Sequence, residues 1–185
     1  MKPDAEFILL IASFLLIMGS QPERKVFQQN TLSPAQESNI SYTLKHPLHT
    51  VNGVSTSINS QLVIVNGKQL QQVKVTVPLR SFDSGNRARD RDMLKVTEAD
   101  QHPEVIFVST DLEEQNGGIN VSGLLTFHGV TREIRFKAHQ QWQNDNLFVE
   151  GSFTISLEEF KMQRPALLTM KVKDDLQVHF SMVYQ

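Results

Sequence analysis

The amino-acid sequence predicts an all-β fold: a single antiparallel up-and-down β-barrel of about eight strands, with one short helix around residues 86–98. Three observations carry that prediction. From Asn39 onward, apolar and polar residues alternate with the two-residue period of a strand that buries one face. Short turn sequences separate the alternating runs: Asn66-Gly67, Gln115–Gly118, His128–Thr131 and Gln143–Asn146. A single stretch, Ser81–Asp100, breaks the pattern.

The first run, Asn39–His46, puts Ile40, Tyr42 and Leu44 on one face. Ser60–Val65 stops at Asn66-Gly67, the dipeptide that supplies the two left-handed residues of a tight hairpin. In Leu70–Leu79, Val73, Val75, Val77 and Leu79 alternate with Lys74, Thr76 and Pro78. Proline has no N–H to give a ladder, so this strand ends at Pro78 or runs along an edge. Within Ser81–Asp100, Asp83, Ser84 or Asn86 can cap a short helix whose apolar contacts are Met93, Leu94 and Val96. Alternation then returns in residues 102–112, 119–127, 132–142 and 147–157, the second and third joined around His128-Gly129. Glu158–Met170 is irregular. The closing strand, 176–184, holds Leu176, Val178, Phe180, Met182 and Tyr184 in phase.

Upstream the texture differs. Phe7–Gly19 is an almost uninterrupted apolar run. Its length matches the ~7–15 residues of a signal-peptide core and falls short of the ~20 that cross a bilayer. Residues 1–20 therefore read as a signal peptide, with an uncleaved membrane anchor as the competing reading. Removal of this segment leaves a mature protein with no stable membrane span, placed in the periplasm or secreted. Residues 21–38, polar and containing Pro22 and Pro34, form a linker or a weak first strand; the barrel domain runs over 39–185.

Composition narrows the chemistry. The chain has 185 residues, enough for one domain with a substantial core. Its formal net charge of −2 gives no electrostatic reason to expect a nucleic-acid partner. With no cysteine, disulfides, zinc thiolates, iron–sulfur clusters and cysteine nucleophiles are excluded. There is no Gly-x-Ser-x-Gly elbow and no Gly-rich phosphate loop with its lysine, so neither a catalytic residue nor a cofactor is expected. The sequence is compatible with a homodimer.

A hairpin with one apolar face is unstable alone in water, so these faces must meet. Hairpin following hairpin favours closure into a barrel over a two-sheet sandwich, because closure also removes exposed edges. A barrel of about eight strands has an interior that is either filled by side chains or holds one small ligand. Periodicity leaves both interiors open. A carbon-lined void of several hundred cubic ångströms is the feature that favours the second.

Three stretches, in this order, carry a resemblance. "RDRDMLKVTEADQHPEVIFVST" contains Arg91, Asp92 and Leu94, then Pro103, Val105, Phe107 and Ser109. "VSGLLTFHGVTREIRF" contains Gly123, Leu125, Thr126, Gly129, Val130 and Thr131, and "VKDDLQVHF" opens the last strand. From Asn39 to Gln185 the chain resembles the YceI-like family. The resemblance implies an exported bacterial lipocalin-like barrel that binds a polyisoprenoid lipid in a hydrophobic tunnel, without catalysis. The partner it implies is a hydrophobic small molecule: an isoprenoid, a quinone or a fatty amphiphile. Residues 42–58 depart from the family pattern in lacking its Phe-rich segment, which bears on the shape of one end of the tunnel.

An isoprene unit has five carbons, worth roughly 3–4 kcal/mol gross at ~0.8 kcal/mol per carbon buried. Two or three units reach micromolar affinity after the cost of ordering a flexible chain. Such a ligand needs a dry wall and no reactive group. The inward candidates for that wall are Val73, Val75 and Val77, then Val105 and Phe107. Val121, Leu125, Phe127, Ile134 and Phe136 follow, and then Val149, Phe153, Ile155, Val178, Phe180 and Met182. Ordinary core packing competes with ligand contact at each.

Few polar motifs remain. His46 and His49 are three residues apart, but Pro47 and the strand pattern argue against the helix that spacing needs, and no third ligand is near. A loop histidine is the plain reading of His46, and a head-group contact at the barrel mouth the functional one. Arg87, Arg89 and Arg91 alternate with acids and suit local ion pairs; any of them could also reach a ligand head. The alternative function is an enzyme or metal-dependent protein on the same barrel, using His46, His49 or His128.

Overall fold

The computed structural model describes residues 29–116, 118–167 and 169–185. In chain order, the strands of the main sheet begin with β1 (Gln29–Leu32), β2 (Asn39–His46), β3 (His49–Ser55), β4 (Asn59–Val65) and β5 (Gln69–Pro78). They continue with β6 (Glu104–Gln115), β7 (Gly118–Phe127), β8 (Val130–Gln143) and β9 (Asn146–Ser156). A two-residue hairpin, β10 (Ala166–Leu167) with β11 (Met170–Lys171), precedes the last strand, β12 (Asp175–Tyr184). One helix, α1, spans Arg87–Val96.

The spatial order is β1-β4-β5-β6-β7-β8-β9-β12-β2-β3, antiparallel at every pairing. From β4 to β9 each strand lies beside its chain neighbour, as an up-and-down meander requires, and β12 returns between β9 and β2. The sheet curls until the segment after β1 reaches the end of β12. Just past β1, Ser33 and Gln185 exchange backbone hydrogen bonds of 3.2 and 3.1 Å, and Ala35 N–H donates to the Val183 carbonyl at 2.7 Å. The free edge of β3 is covered where Val54 and Asp83 exchange bonds of 2.9 Å each. These ties leave few ladder groups exposed at the seam.

The sheet has ten strands rather than about eight. The two extra ones are β1 and β3, whose sequences carry little alternation. In β3 the inward positions are Val51, Gly53 and Ser55, with one large apolar side chain among them, and β1 reads Gln-Asn-Thr-Leu. The leader, residues 1–20, lies outside the described residues; within the 21–38 segment, Gln29–Leu32 is strand. No helix among the described residues is long and apolar enough to cross a membrane.

Local signals operate as their chemistry dictates. Asn66 and Gly67 have φ of 51° and 92°, and His128 and Gly129 have 50° and 69°, the left-handed pairs of tight hairpin turns. β5 pairs with both β4 and β6, so Pro78 marks its end, not an edge, and the chain passes into a 3₁₀ turn at Leu79–Ser81. Asn86 Oδ1 accepts from the amides of Ala88 and Arg89 at 3.0 and 3.2 Å, capping α1.

Buried side chains gather at the two ends of the barrel. Leu62, Ile64, Leu70, Ile119, Ala138, Leu147 and Tyr184 pack where β4 meets β5, β6 meets β7 and β8 meets β9. Leu79, Ala99, Leu125, Phe127, Leu157 and Phe160 pack at the opposite end. Between the clusters, inward residues such as Val73, Val75, Phe136, Phe153 and Phe180 remain half-accessible. Inward-facing yet not buried is the mark of a wall, not of a packed centre.

Candidate functional site

The middle of the barrel is a cavity of about 440 Å³, inside the ~300–1,000 Å³ range of small-molecule pockets. Val73, Val75 and Val77 from β5, Val105 and Phe107 from β6, and Val121, Leu125 and Phe127 from β7 face it. Phe136 comes from β8, Val149, Phe153 and Ile155 from β9, and Val178, Phe180 and Met182 from β12. Ile134 does not reach the wall. It packs in the end cluster with Phe127 and Leu157. Its cross-strand partner is Gly123, and the Phe107 ring lies over that glycine, filling the adjacent stretch of wall.

The cavity exists because large rings lie against the wall and not across the lumen. Phe136 stacks on Phe153 at 5.0 Å between centroids, and Phe107 and Phe180 flank it at 5.8 and 5.7 Å. Glycines make room for these rings on the sheet surface. A Cβ at Gly123 would lie 2.4 Å from the Phe107 ring, one at Gly151 2.5 Å from Phe180, and one at Gly53 2.4 Å from Tyr42. Real Cβ atoms do not approach that closely. Glycine beneath leaves each ring room close against the sheet.

The sequence reading missed further wall residues. Leu70 and Leu112 face the cavity although they are out of phase with Val73 and Phe107. Register shifts explain them: one between Val63 and Ile64 against β5, and one between Ser109 and Asp111 against β7. A bulge resets which residues point inward, and strict alternation cannot register it. Ile40, Tyr42 and Leu44 of β2, and Met93 and Val96 of α1, also line the cavity; their periodicity was visible, but not their placement.

The exposed members of the wall are His49, Asp92 and Ala166. They lie on the β2–β3 hairpin, on α1 and on the β10–β11 hairpin, so these three elements frame the mouth. His46 is buried there and fully engaged. Its Nε2–H donates to the Met170 carbonyl at 3.0 Å, while its Nδ1 accepts from the Leu48 amide at 3.2 Å. His46 therefore splints the two hairpins, and neither ring nitrogen is free for a ligand. His49 packs against it with centroids 4.9 Å apart. Of the three arginines, Arg89 is half-buried on the wall, whereas Arg87 and Arg91 are exposed and away from it.

His128 is absent from the wall. Its Nδ1–H donates to the Phe160 carbonyl at 3.0 Å, and its Nε2 is 3.6 Å from Glu98. Among the described residues, no group of three or more histidines and carboxylates is placed to hold a metal ion. Two tyrosines are perturbed. Burial raises the Tyr42 phenol, Asp90 raises it further and Arg89 pulls it back. Burial pushes Tyr184 up to about 12, against the hydrogen bond it shares with Ser60 Oγ at 2.8 Å.

A barrel of this topology with an apolar lumen invites comparison with known proteins. The YceI-like domain model matches residues 31–184. The chain belongs to the YceI-like family. A UPF0312 protein of Pseudomonas aeruginosa is 31% identical over 100 residues, covering 48% of this chain and 51% of the relative. A UPF0312 protein of Pectobacterium carotovorum is 28% identical over 102 residues, 49% of this chain and 52% of the relative. The chain thus spans about half the length of the curated relatives it matches.

Solved structures share the YceI-like fold. Burkholderia cenocepacia BcnA superposes with a TM-score of 0.71 at 21% identity, covering 79% of this chain and 95% of that one. A polyisoprenoid binding domain from Saccharophagus degradans, implicated in plant cell wall breakdown, gives 0.68 at 14% identity, with 85% and 99% covered. Campylobacter jejuni YCEI gives 0.60 at 18% identity, with 71% and 82% covered.

Proposed function

We propose that this chain is a non-enzymatic binding or carrier protein for an isoprenoid, a quinone or another long-chain amphiphile held inside the barrel. We further propose that it acts after export, in the periplasm or outside the cell. The carbon-walled cavity of about 440 Å³ carries the first reading. Valine, leucine and phenylalanine give a hydrocarbon chain burial worth ~0.8 kcal/mol per carbon and give a reaction centre no polar partner. The Saccharophagus degradans neighbour, a polyisoprenoid binding domain of the same fold, supports the ligand class. Export rests on the apolar run Phe7–Gly19.

Filling the lumen tests the reading. Val75→Trp and Val178→Trp each place a large ring on a half-buried wall position. The wild-type protein should take up geranylgeraniol from vesicles, and both variants, checked as folded by circular dichroism, should lose at least about tenfold in uptake, since the lumen they fill is the volume the lipid needs. Uptake unchanged in both variants would place the lipid elsewhere.

A further inference from the structure

We propose that Arg89 is the head-group residue of the cavity, and that the carried lipid ends in an anionic head whose two oxygens meet the guanidinium. This inference rests on the carrier reading and specifies its ligand. Its first support is position. The wall is hydrocarbon over most of its extent, yet Arg89, half-buried on α1, lies on it beside the mouth. The second is the lack of a partner. Arg80, Arg135 and Arg164 pair with Asp100, Glu133 and Glu158, and Arg132 donates to the Glu159 carbonyl. The Arg89 side chain makes no ion pair or hydrogen bond among the described residues.

A guanidinium held half out of water without an anion is unfavourable, and an anionic head offering two oxygens to its fork of N–H donors relieves this. Two acids stand nearby on α1, and neither pairs with Arg89. Asp90 Oδ1 accepts from the Ser84 amide at 3.1 Å, and Asp92 is exposed and 3.6 Å from Lys95. The third support is Tyr42. Its ring lies over Gly53 on the wall, and its hydroxyl has no hydrogen-bond partner among the described residues. Burial keeps that phenol protonated and able to donate; Asp90 pushes it further the same way, and Arg89 pulls it back. Arg89 and Tyr42 thus offer donors to one head from α1 and β2. Arg87 and Arg91, on the same helix, point to solvent.

The test compares two ligands with one hydrocarbon. Delipidated full-length protein is titrated calorimetrically with geranylgeranyl monophosphate and with geranylgeraniol. The phosphate should bind about tenfold or more tighter, the scale of a charge-assisted contact. Arg89→Gln should bring the phosphate down to the affinity of the alcohol, Arg89→Lys should keep part of the preference, and Tyr42→Phe should reduce it a few-fold. Equal affinities in the wild type, or equal weakening of both ligands by R89Q, would overturn the anionic-head assignment while leaving the carrier reading intact. Inorganic phosphate binding as tightly as the lipid phosphate would also overturn it, by showing a site for the free anion. If neither lipid binds, the inference and the carrier reading fall together.

Discussion

At the scale of single residues, the open lumen depends on atoms that are missing. Gly151 faces Phe180 across β9 and β12, and Gly53 faces Tyr42 across β2 and β3. In Gly151→Ala the new methyl would meet Phe180 Cζ at 2.5 Å, so the ring must rise into the cavity. Overpacking of this kind costs about 1–3 kcal/mol. Urea unfolding should show that loss and lipid uptake should fall with it; a variant unchanged in both would mean the ring has room to spare. These pairs were not legible in the sequence, because Gly151 and Phe180 become neighbours only through strand register. Tyr184 gives a second expectation at this scale. Its pKa rises from an ordinary 10.0 to about 12 in the folded chain, so the neutral phenol is favoured by folding. That contribution is complete below pH 10 and is lost as pH rises to about 12, amounting to roughly 3 kcal/mol at ~1.4 kcal/mol per pH unit. Unfolding free energies measured from pH 9 to 12 should fall in the wild type and fall less in Tyr184→Phe.

At the scale of elements, two hairpins and a helix frame the mouth, and small polar contacts hold them. His46 links β2–β3 to β10–β11 through both ring nitrogens. His46→Ala removes the hydrogen bonds to the Leu48 amide and the Met170 carbonyl, a loss of about 0.5–1.5 kcal/mol for each. Hydrogen exchange at Leu48 and Lys171–Val172 should quicken, with the β5–β9 amides unaffected; uniform quickening would mean that His46 holds the whole fold and not the mouth. Asn86→Ala should cost about 1 kcal/mol by uncapping α1. The helix was readable and its cap was narrowed to Asp83, Ser84 or Asn86, since a capping residue before a run ending in Met93, Leu94 and Val96 is a local signal. The strand β3 was not, β1 was legible only as one of two readings of residues 21–38, and the inward turns of Leu70 and Leu112 were not. Faint alternation hid the strands, and bulges displaced the leucines from the two-residue period.

At the scale of the whole molecule, alternation and hairpin turns determine a meander and which face of each strand is oily. They do not determine whether the oily faces meet. That outcome depends on cross-strand packing: rings seated close over glycine, and two clusters of buried side chains with half-accessible residues between them. Membership of the YceI-like family accords with the fold, and the void is the observation on which the proposed carrier role rests. The carrier account requires that this void hold hydrocarbon in the living cell. The most direct measurement is native mass spectrometry of the full chain purified from its own source without detergent. The account predicts a mass above that of the polypeptide, with the excess removed by organic solvent and recovered as a long-chain lipid. A bare polypeptide mass, unchanged after incubation with polyprenols, would contradict it.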